Sequence, residues 1–405
     1  MLFRSALKDV YDTNPEILAA REKVKKTEAD LGLAKSGWQP TVGLTGGISR
    51  ARTKADGMNL KDNYTQKEYG ISASQNIFKG FTTSAQIQAA KSLVSVQEAN
   101  LYATEQNVFM LAIDAYINVL NAKEVLKLNK HNEKVLKEYY DLYVEKEKVG
   151  VLTKTDVAQA KARLEGAKYH VIEAQAKYDN SLETFRRIYG KVEDSYQKID
   201  IKNIKVSFPK RVEDAEKTAL AKHPAILAMK AQEEAADNNI TVSKQTIMPS
   251  VDIKASSIKY DDIPVAKGIT DSQIGIYLTI PLYDQGITFS KTSKAKAEKA
   301  EVQMALSQTR RMVLEKLHQA WNLYQAQVVA IHSAEARVSA SKLALSGVRD
   351  EQARGRRTVL DVLNAEQEVL DSQVMLTQAE HAKISAFFAV LSGMGELTPE
   401  YLELK

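Results

Sequence analysis

Four short segments of the chain alternate strictly between apolar and polar positions, which is the period of β-strands with two different faces. In the first segment Val42, Leu44 and Ile48 alternate with threonine, glycine and serine. The apolar positions of the other segments are Ile71, Ala73 and Ile77, then Val251, Ile253 and Ala255, and finally Ile274, Ile276, Leu278 and Ile280. Each segment covers about 9–11 residues, enough to cross a bilayer when tilted. We therefore predict two strand hairpins, over residues 40–78 and 249–283, with exposed loops at 51–68 and 261–271.

The stretches between the hairpins predict unusually long helices. No proline occurs between Phe78 and Gly150 or between Tyr283 and Gly355, so the pattern predicts long helices over 79–149 and 284–354. Return helices are predicted over 152–190 and 357–392, and shorter helices precede the hairpins over 15–36 and 214–246. The second of these follows a His-Pro turn, with the proline in the first helical turn, so that the helix itself covers roughly 224–246.

Small and apolar residues recur along the long helices at alternating steps of four and three, the heptad spacing of left-handed helix packing. In the first half these positions are Val108, Ala112, Ala115, Val119, Ala122, Leu126 and Asn129. In the second half they are Val313, Leu317, Ala320, Tyr324, Gln327, Ile331, Ala334, Val338, Ser341, Leu345 and Val348. A second apolar stripe, which includes Ile113 and Leu120, lies beside the first. Two stripes predict contacts on two sides, as in a closed ring of helices.

The two halves of the chain repeat each other in register. Pro15 matches Pro224 at an offset of 209 residues, and Gly150 matches Gly355 at an offset of 205. We assign the first repeat to residues 1–209 and the second to 210–405. The halves then differ by a deletion of four residues, which we place in the loop of the first hairpin.

Composition limits the possible functions. Charged residues make up 26% of the 405, but the net charge is +5 and the basic residues alternate with acidic ones, which argues against nucleic-acid binding. The chain has no cysteine and only six scattered histidines, and metal, nucleotide and protease motifs are absent. We predict no enzyme, no cofactor and no metal site. We find no apolar run of about 18 residues, and the first residues do not resemble a signal peptide, so export would imply a signal removed earlier.

These elements predict an α+β fold whose strands belong to a membrane β-barrel. Four strands per chain cannot close a barrel, and an open sheet would expose unpaired backbone groups to lipid. Three copies would supply twelve strands, continuous with a long, coiled-coil-like barrel of helices. The alternative is a soluble coiled-coil scaffold or periplasmic adaptor with a small sheet. The bilayer-length strands, with polar faces rich in Gly, Ser and Thr, favour the channel.

With these features the sequence resembles the TolC family of outer-membrane efflux and secretion channels. The resemblance covers residues 6–397 and is carried by the Pro-headed strands, the run Ile-Pro-Leu-Tyr-Asp-Gln-Gly at 280–286, and the two helical turns. The segments Ala6-Leu7 to Asn14-Pro15 and Ser36-Gly-Trp-Gln-Pro40 look most like the branch that serves type I secretion, although drug-efflux members are close. The resemblance implies a homotrimer in the lipid of a Gram-negative outer membrane, extending into the periplasm. It would passively pass secreted proteins or small toxic compounds outward from an inner-membrane transporter and a periplasmic adaptor.

The resemblance also implies a gate where the helical turns meet. Carried over by position, Arg357 is the linking arginine, and Thr155 and Asp156 are its partners from the other turn. Asp361 is the residue of an acidic ring around the threefold axis. The ordinary alternative is that Arg357 and Asp361, four residues apart, form a surface pair on one helix.

Two positions depart from the family pattern. Asn364 stands where a second acid is frequent, and Gln352 stands where a tyrosine is frequent. Both departures imply less negative charge at the constriction and weaker contacts holding the gate closed. The tips that would dock the adaptor are marked by Gly150, Thr153, Gly355 and Thr358, although the two threonines could serve simply as helix caps.

Overall fold

The computed structural model describes residues 3–52, 63–192, 196–199, 208–263, 266–400 and 402. These residues form eight helices and four strands. In chain order they are α1 (Phe3–Thr13), α2 (Pro15–Ser36), β1 (Thr41–Ala51), β2 (Tyr64–Lys79), α3 (Thr82–Lys148), α4 (Lys154–Tyr189), α5 (Val212–Lys222), α6 (Pro224–Val242), β3 (Ser250–Ile263), β4 (Ala266–Thr279), α7 (Ile287–Ala353) and α8 (Val359–Met394).

The elements follow the internal duplication closely. Helices α3 and α7 both contain 67 residues, and α4 and α8 both contain 36. Helices α1 and α5 start and end at positions 209 residues apart. The α+β class and the duplicated arrangement predicted from the sequence are therefore found in the structure.

The chain divides into two compact units, and each unit draws on both sequence repeats. Unit 1 comprises Met1–Arg21, Asn100–Leu227 and Thr309–Lys405. Unit 2 comprises Glu22–Ala99 and Ala228–Gln308. The repeats 1–209 and 210–405 thus describe the sequence, whereas packing joins corresponding parts of both halves.

Unit 2 contains one antiparallel sheet in the order β1-β2-β3-β4. Because residues directly opposite each other share a face, the register places Leu44, Ile71, Ser257 and Ser272 side by side on one face. We call this the apolar face; its other members include Val42, Ala73, Ala255, Ile274, Ile276 and Leu278. The opposite, polar face includes Thr41, Gly43, Ser72, Ser74, Ser256 and Gln273. The predicted alternation is confirmed except at Ile77, where the register shifts and Phe78 instead lies opposite Val251.

The hairpin ends differ from the prediction. Residues 261–271 were predicted to form a loop because they are polar, but β3 continues to Ile263 and β4 begins at Ala266. That prediction was wrong because these strands carry polar residues on both faces near their ends, which hides the period of two. In the first hairpin, β1 ends at Ala51 and β2 begins at Tyr64. Residues 53–62 of that loop, where we place the four-residue deletion, lie outside the described residues.

The bounds 214–246 assigned to one helix also differ from the structure, which breaks at the His-Pro turn. The structure has two helices there, because α5 ends at Lys222 and α6 begins at Pro224. Proline lacks the backbone N–H needed inside a helix and is tolerated at its first position. Helix α6 stops at Val242, and turns follow it. The same break separates α1 from α2 at Asn14.

Unit 1 is held together by an aromatic core among α1–α4 and α8. Its fully buried side chains include Phe109, Tyr116, Phe185 and Phe388. The Tyr189 hydroxyl donates a hydrogen bond to the Ala112 carbonyl at 2.8 Å, so this buried polar group is satisfied. The predicted heptad positions of α3 and α7 are all buried or half-buried, which confirms the packing seam.

Candidate functional site: the two helical turns

Each long helix ends in the same glycine turn. Gly150 and Gly355 have φ of 77° and 73°, in the left-handed region that costs other residues energy. The N–H of Val151 donates to the Lys146 carbonyl at 2.9 Å, and the N–H of Arg356 does the same to the Glu351 carbonyl. These bonds satisfy the last carbonyls of α3 and α7. The two turns are therefore rigid, equivalent structures.

Each return helix begins with a capping box. The Thr153 hydroxyl accepts the N–H of Asp156, and the Asp156 carboxylate accepts the N–H of Thr153 at 2.9 Å. Thr358 and Asp361 repeat this arrangement, also with 2.9 Å for the returning bond. Reciprocal bonds of this kind fix the start of a helix. Thr153 and Thr358 therefore act as helix caps, which was the alternative to a docking role.

The capping box also fixes the charge of Asp361. Hydrogen bonds from the backbone N–H and the hydroxyl of Thr358 lower the pKa of its carboxyl, and Arg357 lowers it further. The carboxylate consequently stays charged near neutral pH. A ring of three such groups would present a fixed negative charge.

Within this chain Arg357 pairs with a residue of its own turn. Its Nε donates to Glu351 at 2.8 Å, at the end of α7. In the described part of this chain it makes no hydrogen bond to Thr155 or Asp156. Thr155 is exposed. The structure therefore brings Asp156 and Asp361 into equivalent caps but does not join the two turns through Arg357.

Asn364 does join the two halves of the chain. Its Oδ1 accepts a hydrogen bond from Arg163 of α4 at 2.7 Å. Gln352 is half-buried, and its carbonyl accepts the N–H of Gly355 at 2.9 Å. The sequence reasoning singled out Asn364 but missed Arg163, which lies 201 residues away.

A partly buried polar cluster next to the turns was also missed. Arg349 of α7 forms a short ion pair with Glu366 of α8. The guanidinium lies 5.7 Å from the ring centre of Tyr139. The neighbouring Tyr143 ring is tilted by 31° against the Tyr139 ring, with 5.7 Å between the ring centres. Burial, followed by the charge of Glu366, raises the pKa of Tyr143 to about 12. The sequence carried one signal, since Glu366 falls within the apolar stripe of α8.

This cluster, which we call the latch, consists of Tyr139, Tyr143, Arg349 and Glu366. It adjoins an apolar cluster from α3, α4 and α8 that includes Leu136, Leu164 and Leu363. The latch therefore connects both halves of the chain next to the turns.

The tip of the first turn is apolar and exposed. Val149 and Val151, on either side of Gly150, are 75% and 67% exposed. The second turn has Arg354 and Arg356 at the equivalent positions. The two tips thus offer different chemistry to a partner despite their equal backbones.

Within the described ranges, no group of three or more His, Cys, Asp or Glu residues is placed to hold a metal ion. Across those same residues, no helix is both long enough and apolar enough to cross a bilayer.

The sheet with one apolar face and the paired long helices with capped turns define the class of outer-membrane channel proteins. A sequence model of the family described as outer membrane efflux protein matches residues 6–191 and 216–396, and the chain belongs to this family.

Individual relatives agree with this assignment. The outer membrane efflux protein BepC of Brucella suis biovar 1 (strain 1330) is 30% identical over 350 residues, which cover 86% of this chain and 75% of BepC. The outer membrane protein TolC of Escherichia coli (strain K12) is 21% identical over 83% of this chain and 70% of its own. The CmeC outer membrane channel of Campylobacter jejuni superposes with a TM-score of 0.84 at 19% identity, covering 97% of this chain and 85% of its own. The predicted family, channel function and outer-membrane location are confirmed.

Proposed function

We propose that three copies of this chain assemble into one passive duct. The observation that carries the proposal is the four-stranded sheet with two free edges, β1 and β4, in the described chain. An edge in lipid must be paired, and β4 of one copy can pair with β1 of the next. Twelve strands would then close around a lumen lined by the polar face.

The cargo is a secreted protein or a small toxic compound. The alkaline protease secretion protein AprF of Pseudomonas aeruginosa is 21% identical to this chain over 251 residues, which supports a protein cargo. BepC, as an efflux protein, supports a small-molecule cargo. In either case the transport energy must come from a partner, because the sequence has no nucleotide-binding motif.

The helical turns form the gate and the docking surface in this proposal. A periplasmic adaptor, joined to an inner-membrane transporter, would dock on Gly150, Thr153, Gly355 and Thr358. Asp361 would form the acidic ring, with Asp156, Thr155, Gln352, Asn364 and Arg357 around it. The fixed charge of the capped carboxylates supports a preference for cations.

Reconstitution in planar bilayers tests the proposal. The wild type should run as a trimer in detergent and conduct ions with a preference for cations. Asp361→Asn, which keeps a side chain able to cap the helix, should lose most of that preference, whereas Lys168→Gln on the exposed surface of α4 should not. A monomer that needs no detergent and does not conduct would contradict the duct. If the Asp361 variant kept the cation preference of the wild type, the acidic ring would be contradicted but the duct would not.

A further inference from the structure

The apolar face of the sheet changes character toward the hairpin end of the strands. The row of Leu44, Ile71, Ser257 and Ser272 is uncharged, and the two serine hydroxyls bond each other at 2.8 Å. The next row along the strands contains Gly46, Tyr69, Lys259 and Thr270. The next row contains Ile48, Lys67 and Asp261, and the row beyond it contains Arg50 and Thr65. The face thus passes from apolar to basic at Tyr69.

Three cations occupy this basic end. Arg50 and Lys67 are exposed and form no ion pair with any residue that the structure describes. Lys259 lies over the Tyr69 ring at 5.5 Å, and its Nζ is 3.7 Å from Asp261. The Tyr69 hydroxyl donates to Asp261 at 3.0 Å. On this face Asp261 is the acid nearest to the three cations, and it already accepts the Tyr69 hydroxyl. Asp262 lines a pocket together with Arg50 but forms no ion pair with it in the described part of the chain.

Apart from Asp261, the acidic side chains of the strands named here lie on the polar face, at Glu68, Asp252 and Asp271. The polar face also carries basic residues, at Lys254 and Lys267. On the apolar face, β4 contributes Thr270 and Gly268 near the hairpin end and no charge. A β4 strand paired to β1 of the next copy would therefore add no acid beside Arg50 on this face.

We propose that this basic end is a binding site for the phosphate-bearing headgroups of anionic lipids. The inference rests on the proposed function, because it takes the apolar face as the lipid-facing one. The apolar rows would contact acyl chains, and Tyr69 would lie at the interface, as amphipathic aromatic side chains do. Lysine and arginine would reach the phosphates with their charged ends, and arginine can bind phosphate through two parallel hydrogen bonds.

The experiment uses the full chain in nanodiscs that mix phosphatidylglycerol with phosphatidylcholine. Lipids retained after mild detergent exchange are counted by native mass spectrometry, and bilayer conductance is measured on the same preparation. The wild type should retain phosphatidylglycerol above its bulk fraction, and added salt should reduce the excess. The triple variant Arg50→Gln/Lys67→Gln/Lys259→Gln should lose the excess, by about fivefold for each basic residue removed.

The matched control removes cations from the other face. Lys254 lies on the polar face, over Tyr277 at 5.2 Å, and Lys267 follows the same alternation. Lys254→Gln/Lys267→Gln should retain as much phosphatidylglycerol as the wild type. Inorganic phosphate at moderate ionic strength should not displace the lipid.

Three results would overturn the inference. The first is that the triple variant conducts normally and retains as much phosphatidylglycerol as the wild type. This result would not affect the proposed duct. The second is full displacement by inorganic phosphate, which would indicate a free-anion site. The third is protein that neither inserts nor conducts, which would refute the proposed function together with this inference.

Discussion

Arg349 and Glu366 form an ion pair with one buried and one accessible partner. Glu366 is 7% exposed, whereas the Arg349 side chain is 47% exposed. The carboxylate has therefore lost its water and depends on the guanidinium, while the guanidinium is still partly hydrated. A pair of this kind is asymmetric, because removal of the arginine leaves a buried charge without compensation.

Arg349→Met should loosen the helices next to the turns. We expect a loss of about 2–3 kcal/mol in local stability, since the buried Glu366 would be left unpaired. Hydrogen–deuterium exchange of α7 and α8 near the turn measures this directly. Arg349→Met/Glu366→Leu should recover most of the loss, because it removes both charges.

Arg337 supplies the matched control for that experiment. It pairs with Glu368 across the same two helices at 2.8 Å, but both side chains are about half exposed. Arg337→Met should therefore cost less than about 1 kcal/mol. If Arg349→Met and Arg337→Met lost equal amounts of stability, burial of Glu366 would not be what makes the latch pair important.

Loss of the Tyr143 hydroxyl should leave the stability of the protein unchanged or increase it. The side chain is 1% exposed, and its hydroxyl has no hydrogen-bond partner within the described chain. Removing an unsatisfied buried group relieves a desolvation cost, so Tyr143→Phe should be neutral or stabilising by about 1 kcal/mol. Thermal unfolding by circular dichroism measures the change. Tyr139→Phe, which loses its contact with Glu366, should destabilise; a destabilised Tyr143→Phe would instead reveal a partner for its hydroxyl.

Most of the fold could be predicted because the signals are local. The period of two located all four strands, and the absence of proline between Phe78 and Gly150 located a helix of the correct length. The errors arose where a local signal was missing or overruled. Residues 261–271 carry polar side chains on both faces, and the bounds 214–246 merged a short helix with the one that begins at Pro224.

The contacts of the candidate site were harder to predict, because they depend on how helices cross. The caps at Thr153 and Thr358 follow from a three-residue spacing and were foreseen as an alternative. The pairing of Arg163 with Asn364 joins residues 201 positions apart, and no short motif encodes it. The apolar stripe of α8 could identify Glu366 as a buried acid. No feature of the sequence identified Arg349 as its partner.

The turns between strands and long helices should store backbone strain. Gln285 and Gly286 both have positive φ, 59° and 79°, as do Gly80 and Phe81 in the other repeat. Gln285 is exposed, so its replacement by glycine removes strain without loss of a buried contact. Gln285→Gly should stabilise unit 2 by about 1 kcal/mol in thermal unfolding. Gln285→Ala, which keeps a Cβ, should give no gain; equal gains from both would point away from strain.

His223 should make the stability of unit 1 depend on pH. Its Nδ1 accepts the N–H of Ala225 at 3.2 Å, as Asn14 Oδ1 accepts that of Glu16 at 2.9 Å in the first repeat. Burial, followed by the charge of Lys316, lowers the pKa of His223 to about 4.

The unfolded chain therefore binds the proton more readily than the folded one, so stability should be complete above pH ~6.5 and fall as the pH drops toward 4. His223→Asn, the residue used at the equivalent place in the first repeat, keeps the cap and cannot titrate. Because the ring is only partly enclosed, we expect the wild type to lose about 2 kcal/mol more than this variant across that range. Thermal unfolding of both proteins is measured as a function of pH. Other titrating groups such as His381 are present in both, so the difference between the two profiles isolates His223. Parallel pH profiles would exclude His223 as the titrating group.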